Sequence, residues 1–436
     1  MSSDSIIPVS IRLNPFKTAD MSYLPSDGPV PWSPSGLYLA ERPSFTLDPL
    51  FHAGAYYVQD ASAMMVGWMF RKVLETMGYG PLAQDSAGVP SLRVLDLCAA
   101  PGGKSTDIAA SLRQACGPSF VLVSNEVIRQ RSAVLQDNMA IWGDPNVVVC
   151  SSDPADFGAL GGLFDIIVAD VPCSGEGMFR KSENARNMWS EDNVNLCAAR
   201  QKRIVADVWD ALAPGGVLIY STCTLNEHEN DGNVAWIIEQ FGALDMRFDL
   251  PFEGPELTEY GILMTPGKVR GEGQYCAALR KPDDAPVKSG SGALRGGLPG
   301  KTVYEGGVTM FDRGGELYAL TDAVASDMPL ISRAGSGRKV RVLGAGVHAF
   351  TMKGRDRIPC ADLALSTILD PDDFPCVELE RQDALRFLHK DSFPLVDAPV
   401  GYVVVTYGSL PLGFMKNLGN RANNLHPAAR RILMNI

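Results

Sequence analysis

A chain of 436 residues, 46% hydrophobic with a mean hydropathy of +0.01, has room for two or three globular domains, and it contains no run of about 18 apolar residues that would span a membrane. Its net charge of −11 excludes indiscriminate polyanion binding. Residues 284–436, however, carry 18 basic against 16 acidic side chains and the remainder 21 against 34, so a nucleic-acid partner would have to meet local basic patches.

Residues 1–60 are rich in proline and aromatics with little periodicity, which predicts a small irregular module. Its start, MSSDSIIPVS, has no basic segment followed by an apolar run, so no secretion signal is expected. Residues 60–74 are apolar at helical spacing, and 80–91 read as a polar loop. An alternating series follows, the pattern of a doubly wound parallel sheet. Strands are predicted at 93–98, up to Glu126, at NVVVC before Ser151, at FDIIVAD ending on Asp170, and at GVLIYST, with helices near 104–113, 129–142 and 195–212. Asn226 with Glu229 suggests a cap for a helix through Phe241, and two closing strands run to Lys281. The Gly/Ser-rich stretch 288–300 reads as a linker, followed by one further compact unit with a helix near 381–390. The expected domains are therefore 1–60, 61–282 and 302–436, with 283–301 as the connection.

The series is organised around RVLDLCAAPGGKST at 93–106, an apolar strand, a tight turn and a helix start. Adjacent Gly102 and Gly103 let backbone approach a ligand at the carboxyl end of the strand. The turn matches neither GxGxxG nor GxxxxGK[ST], which points away from dinucleotides and triphosphates and toward another adenosine-type cofactor. Glu126, Asp153 and Asp170 close three successive strands. A carboxylate after the second strand suits ribose hydroxyls, and one after the third suits an adenine amino group; any single one could instead cap a helix. Nine cysteines at no disulfide or zinc-knuckle spacing imply free thiols, a reducing cytoplasmic setting and no metal. Buried free cysteines are usually inert, but Cys173 and Cys223 each follow a strand that ends at the cofactor edge. A thiolate adds readily to electron-poor carbons such as pyrimidine C6, and that addition makes C5 nucleophilic enough to take a methyl group.

LDLCAAPGGKST (95–106), Glu126, DVPCSGEGMFRK (170–181) and YSTCTLNEHEN (220–230), in this order and spacing, resemble the Sun-family RNA (cytosine-5) methyltransferases; YYVQDASAM (56–64) adds to the likeness. The C-terminal GYVVVTYGSLPLGFMKNLGNRANNLHP resembles the ribosomal small subunit methyltransferase F type, while 301–397 matches less clearly. The resemblance implies an α/β, class I Rossmann-like methyltransferase with a mostly parallel sheet, a small N-terminal module and a C-terminal PUA-like α+β RNA-binding module. It implies S-adenosyl-L-methionine as cofactor, cradled by Cys98, Ala99, Ala100, Pro101, Gly102, Gly103 and Lys104, with Glu126 on the ribose, Asp153 on the adenine and Asp170 nearby. It makes Cys223 the nucleophile at C6 of a cytidine, Cys173 the aid to product release, and Asp170 the partner of the base's polar edge. Arg180, Lys181, Lys416, Arg421, Asn423 and Asn424 would contact RNA. The expected substrate is 16S ribosomal RNA or the small subunit, and the expected state is a monomer; transfer RNA, or a non-catalytic ribosome-assembly role, are the competing readings.

Overall fold

The computed structural model describes residues 8–80, 91–180, 186–187, 189–287, 301–305, 307–332, 334–335 and 338–436. Most of the expected 80–91 loop, the linker stretch 288–300 and Lys181 lie outside the described residues.

The N-terminal segment is a four-stranded sheet rather than an irregular module. It is formed by β1 (Val9–Leu13), β2 (Ser26–Pro29), β3 (Gly36–Leu39) and β4 (Tyr56–Val58), in the order β2-β3-β1-β4. Strands of three to five residues, separated by Pro/Gly turns, leave too few alternations to register as a pattern. The sheet is tied to the rest of the chain through Arg12. Its buried guanidinium donates to Gln59 Oε1 (2.9 Å) and to the carbonyl of Gly103 (3.1 Å), and it stacks over Trp142 at 4.7 Å.

The central sheet is mixed. Its five middle strands, β5 (Leu92–Asp96), β6 (Phe120–Asn125), β7 (Val147–Cys150), β8 (Phe164–Asp170) and β9 (Leu212–Thr222), are parallel and ordered β9-β8-β5-β6-β7. They are near-continuous Val/Ile/Leu runs because helices cover both faces: Met64–Thr76, Gly103–Cys116 and Arg129–Trp142, then Glu191–Val208 and Asp231–Phe241. From β5 the chain winds through β6 and β7 one way, then returns to place β8 and β9 on the other side. The switch point therefore lies between β5 and β8, where open α/β sheets hold ligands. Beyond β9 the sheet continues antiparallel through β10 (Leu244–Met246), β11 (Glu256–Leu257), β12 (Ile262–Met264) and β13 (Gln274–Arg280).

Residues after 300 build two larger sheets, which share a hydrophobic cluster that joins Met310 and Ala319 to Val404 and Phe414. The first contains β14 (Lys301–Glu305), β15 (Val308–Arg313), β16 (Glu316–Leu320) and, beyond the helix Asp322–Ile331 and the short pair β17 (Ala334–Gly335) and β18 (Arg338–Lys339), β20 (Val347–Lys353) and β21 (Asp356–Pro359). The strand between, β19 (Val342–Ala345), leaves this sheet and pairs antiparallel with β7, as the last strand of the central sheet. The second sheet is β22 (Cys376–Glu378), β23 (Gly401–Tyr407), β24 (Leu410–Asn417) and β25 (Ala422–Asn424), packed on the helix Arg381–Leu388. Among the described residues no helix is long and apolar enough to cross a membrane, and no three His, Cys, Asp or Glu side chains cluster for a metal.

Candidate active site

The turn after β5 owes its shape to Gly102, whose φ of +116° is a conformation that L side chains rarely adopt. It precedes the helix Gly103–Cys116, whose first amides have no intrahelical acceptors and face the carboxyl edge of the sheet. Asn125, buried at the end of β6, holds the neighbouring strand ends together. Its amide donates to the carbonyls of Leu97 and Ser152, both at 3.0 Å, and its carbonyl accepts from Ser152 N.

Glu126 is buried beside this turn. Its Oε1 accepts from Ile128 N (2.9 Å) and its Oε2 lies 3.1 Å from the Arg131 guanidinium, which also donates to the carbonyl of Ala100. A carboxylate has about four lone-pair directions, so two remain for a ligand's hydroxyls. Asp96 escaped the sequence reading. It is fully buried, accepts from Ser105 Oγ (2.6 Å), and its Oδ1 has no hydrogen-bond partner among the described residues. Burial pushes its carboxyl up to about 7, against that hydrogen bond. Burial likewise raises the Cys98 thiol, which leaves it neutral and unreactive. Asp153 is exposed and caps the helix Pro154–Gly158: its side chain accepts from Ala155 N (3.1 Å), and Asp156 returns the bond to Asp153 N.

On the other side of the switch point, Asp170 ends β8. Lys104 reaches across from the glycine turn to Asp170 Oδ2 (2.8 Å), while Ser221 Oγ (3.0 Å) and Gln274 Nε2 (3.2 Å) donate to Oδ1. Burial opposes the Lys104 charge, but the Asp170 carboxylate outweighs it and holds the ammonium above its ordinary range.

The two strand-end cysteines converge. Cys173 Sγ lies 2.9 Å from Cys223 Sγ and also accepts from Cys223 N (3.3 Å). A hydrogen bond from the Cys173 thiol, helped by the Lys104 ammonium, holds Cys223 below an ordinary thiol, against burial and the Asp170 carboxylate. The same bond, with burial, holds Cys173 well above one. When the pair gives up a proton, the negative charge therefore falls on Cys223, with the Cys173 thiol as its donor. Among the described residues all nine cysteines are free.

The loops that bear these sulfurs rest on a polar network that the sequence reading missed. Glu229 caps no helix; Asn230 precedes the helix Asp231–Phe241 instead. Buried Glu229 Oε2 accepts from Ser174 N (3.1 Å) and Gln201 Nε2 (2.7 Å), and Gln201 Nε2 also donates to the carbonyl of Pro172 (2.9 Å). Tyr220 donates to the carbonyl of Glu229 (2.7 Å), and Asn233 donates to Gln201 Oε1 (2.6 Å). Gly177 closes the clamp: its N–H donates to the carbonyl of Cys223 (3.0 Å), and a Cβ there would lie 2.5 Å from that oxygen. The CSGEG spacing in the sequence could have signalled this approach.

The remaining expected contacts are dispersed. Arg180 donates to the carbonyl of Gly271 and lies 3.5 Å from Glu272. Lys416 sits over the Tyr402 ring at 4.9 Å, and Arg421 and Asn423 are exposed at β25. The Asn424 amide is engaged internally, donating to the carbonyls of Phe387 (2.8 Å) and Asp391 (2.9 Å).

Comparison with known proteins agrees with this architecture. Residues 87–280 match the family model described as 16S rRNA methyltransferase RsmB/F, residues 2–61 the N-terminal domain of 16S rRNA methyltransferase RsmF, and residues 374–432 the methyltransferase RsmF PUA domain. A solved structure of a methyltransferase homolog protein from Pyrococcus horikoshii superposes with a TM-score of 0.51 at 26% identity, covering 64% of this chain and 88% of that one. The ribosomal RNA small subunit methyltransferase F of Shigella boydii serotype 18 is 29% identical over 96% of this chain and 89% of its own. The protein of that name from Escherichia coli O139:H28 is 30% identical over the same shares. With its three modules matched and nearly its whole length aligned, the chain belongs to the ribosomal RNA small subunit methyltransferase F family.

Proposed function

We propose that this S-adenosylmethionine-dependent RNA methyltransferase methylates C5 of a cytidine in small-subunit ribosomal RNA, through a covalent bond between Cys223 Sγ and C6. The reading is carried by the approach of Cys173 and Cys223 to 2.9 Å, beside the Lys104–Asp170 pair and the glycine turn.

The residues present fit the cofactor: the Gly102 turn admits close backbone approach, Glu126 keeps free lone pairs for the ribose, and Asp96 Oδ1 is a buried acceptor with no hydrogen-bond partner among the described residues. Bound there, the cofactor supplies an electrophilic methyl group. Cys223 adds to C6 as the thiolate that Cys173 and Lys104 stabilise. Asp170, oriented by Lys104, Ser221 and Gln274, accepts from the exocyclic amino group, which gains positive character as C5 forms its new bond. After C5 has been methylated, it gives its proton to a solvent water; that C–H pair re-forms the C5=C6 bond, and the C6–S bond breaks with its electron pair returning to Cys223. The Cys173 thiol then restores its hydrogen bond to the departing sulfur, which makes it a better leaving group.

Residues 61–282 would carry this chemistry, with 1–60 as a brace and 302–436 for RNA. Lys416, Arg421 and Asn423 are the contacts best placed on the C-terminal sheet, while Arg180 and Asn424 shape the loops on which contacts depend. A trapping experiment tests the mechanism. Cys173→Ala incubated with ribosomal RNA and cofactor accumulates a protein–RNA adduct stable on a denaturing gel. Absence of that adduct in a variant that still binds both partners removes the proposed role of Cys173.

A further inference from the structure

Residues 281–373 fall outside all three family matches, yet they place β19 on the catalytic sheet. Between β15, β16, the helix Asp322–Ile331 and β19 lies a cavity of 330 Å³ lined by Phe311, Arg313, Tyr318, Met328, Lys339 and Arg341, among others. That volume suits one small organic group, and its walls combine two aromatic rings with three cations. Tyr318 is held in place by stacking on His348, with centroids 5.0 Å apart. Arg313 donates to the carbonyl of Leu343 (3.2 Å), and Lys339 and Arg341 are exposed. Among the described residues no carboxylate forms an ion pair with these three; the neighbouring Arg338 is the one that pairs, with Asp156.

The position of this patch relates it to the reaction. Arg341 N donates to Ser152 Oγ (2.7 Å) and its carbonyl accepts from Ser151 N (2.9 Å), which fixes Arg341 at the carboxyl end of β7. That is the edge where the thiols sit, four to five strand spacings or about 20 Å away. In a chain of net charge −11, three unpaired cations around an aromatic-walled cavity at the substrate edge are the local patch that a polyanion requires.

We infer that this cavity is a second RNA subsite. It takes one unstacked base between its apolar and aromatic walls, while Arg313, Lys339 and Arg341 hold the adjoining phosphates of the single strand that flanks the target cytidine. The assignment rests on the reading of the substrate as RNA. Base–aromatic contact and phosphate neutralisation are the two terms by which single strands are gripped without sequence readout. A strand bound here and at the thiols would be drawn across the whole edge, which favours presenting its bases unstacked.

The test uses the full-length protein and a fluorescently labelled single-stranded RNA copied from 16S ribosomal RNA. The triple variant Arg313→Glu, Lys339→Glu, Arg341→Glu is expected to weaken binding at least tenfold. It should lower the slope of log affinity against log salt by about 2, the value for three phosphates on a single strand. Cofactor affinity should stay unchanged. RNA carrying 5-iodouridine should cross-link to Phe311 or Tyr318 on irradiation, and Tyr318→Ala should reduce that yield. Unchanged affinity and slope in a folded variant, an equal loss of cofactor affinity, or cross-links confined to 401–424 would overturn the subsite. None of these readouts requires methyl transfer. An RNA that binds here but is never methylated at C5 would overturn the catalytic reading while supporting the subsite.

Discussion

The two halves of the carboxyl edge solve different problems with different materials. The cofactor half, from β5 to β7, is built largely from backbone: a turn opened by Gly102, the first amides of the next helix, and strand ends tied by Asn125. The thiol half, at β8 and β9, is built from side chains: two sulfurs 2.9 Å apart, a Lys–Asp pair, and a buried network around Glu229 and Gln201. A cofactor rich in polar atoms, bound as proposed, would be held by many amides, none of which a single substitution removes. Bond formation at one ring carbon instead requires a few atoms within a fraction of an ångström, and buried hydrogen bonds supply that rigidity. Substitutions in the thiol half should therefore lower turnover, and substitutions in the cofactor half should lower affinity.

The largest effect expected is from Cys223→Ala. Loss of the nucleophile should reduce methyl transfer by a factor on the order of 10⁴ or more, with cofactor and RNA affinities retained. Turnover within about tenfold of the parent would place the nucleophile elsewhere. The electrostatics can be read separately. Because the hydrogen bond from Cys173 lowers the Cys223 thiol, alkylation of Cys223 should rise through a pH below that of an ordinary thiol. Cys173→Ala should move that midpoint upward; a midpoint that stays put or falls would mean that Cys173 does not stabilise the thiolate.

Next in size is Glu229→Leu. It leaves the Ser174 amide and one of the two Gln201 amide hydrogens without an acceptor, the other still meeting the Pro172 carbonyl, a loss of about 2 kcal/mol in unfolding free energy measured by denaturant titration. If the network positions the sulfurs, kcat falls well beyond what the lost stability explains, cofactor affinity holds, and Glu229→Gln recovers part of the rate. Equal losses in kcat and cofactor affinity would make the network a general scaffold and erase the contrast between the halves.

The halves also differ in how far the sequence discloses them. The glycine turn, the strand-end acids and the cysteines are contiguous with strands whose apolar runs identify them, so topology alone brings Cys173 and Cys223 to one edge. The clamp beneath them joins residues 172–177, 201, 220 and 229–233, and no local pattern links positions so far apart. Glu229 had the spacing of a helix cap, and its burial against Gln201 overrode that local preference. The N-terminal sheet was hidden by strands too short to show alternation, and the position of β19 depends on a pairing nearly 200 residues distant. Gly102→Ala bears on the legible half. Forcing a side chain to φ +116° strains the turn by about 1 kcal/mol, so cofactor affinity should fall up to about tenfold by titration calorimetry while RNA affinity holds. A matching loss of RNA affinity would mean that the turn organises both halves.

The smallest effect, and the finest test of the cofactor half, belongs to Asp153. In the structure it caps the helix Pro154–Gly158, and a cap needs only an oxygen, so asparagine should serve as well as aspartate. An adenine amino group bound to a carboxylate would lose a charge-assisted bond on the same substitution, a weakening of about threefold. Asp153→Asn should therefore leave the melting temperature unchanged and raise the cofactor Kd slightly. Asp153→Ala removes both functions and should lower stability by about 1 kcal/mol as well as affinity. If Asp153→Asn leaves Kd untouched and Asp153→Ala changes only stability, Asp153 is a cap alone. The adenine end would then depend on backbone and on Glu126, which would make the cofactor half still less dependent on side chains than the thiol half.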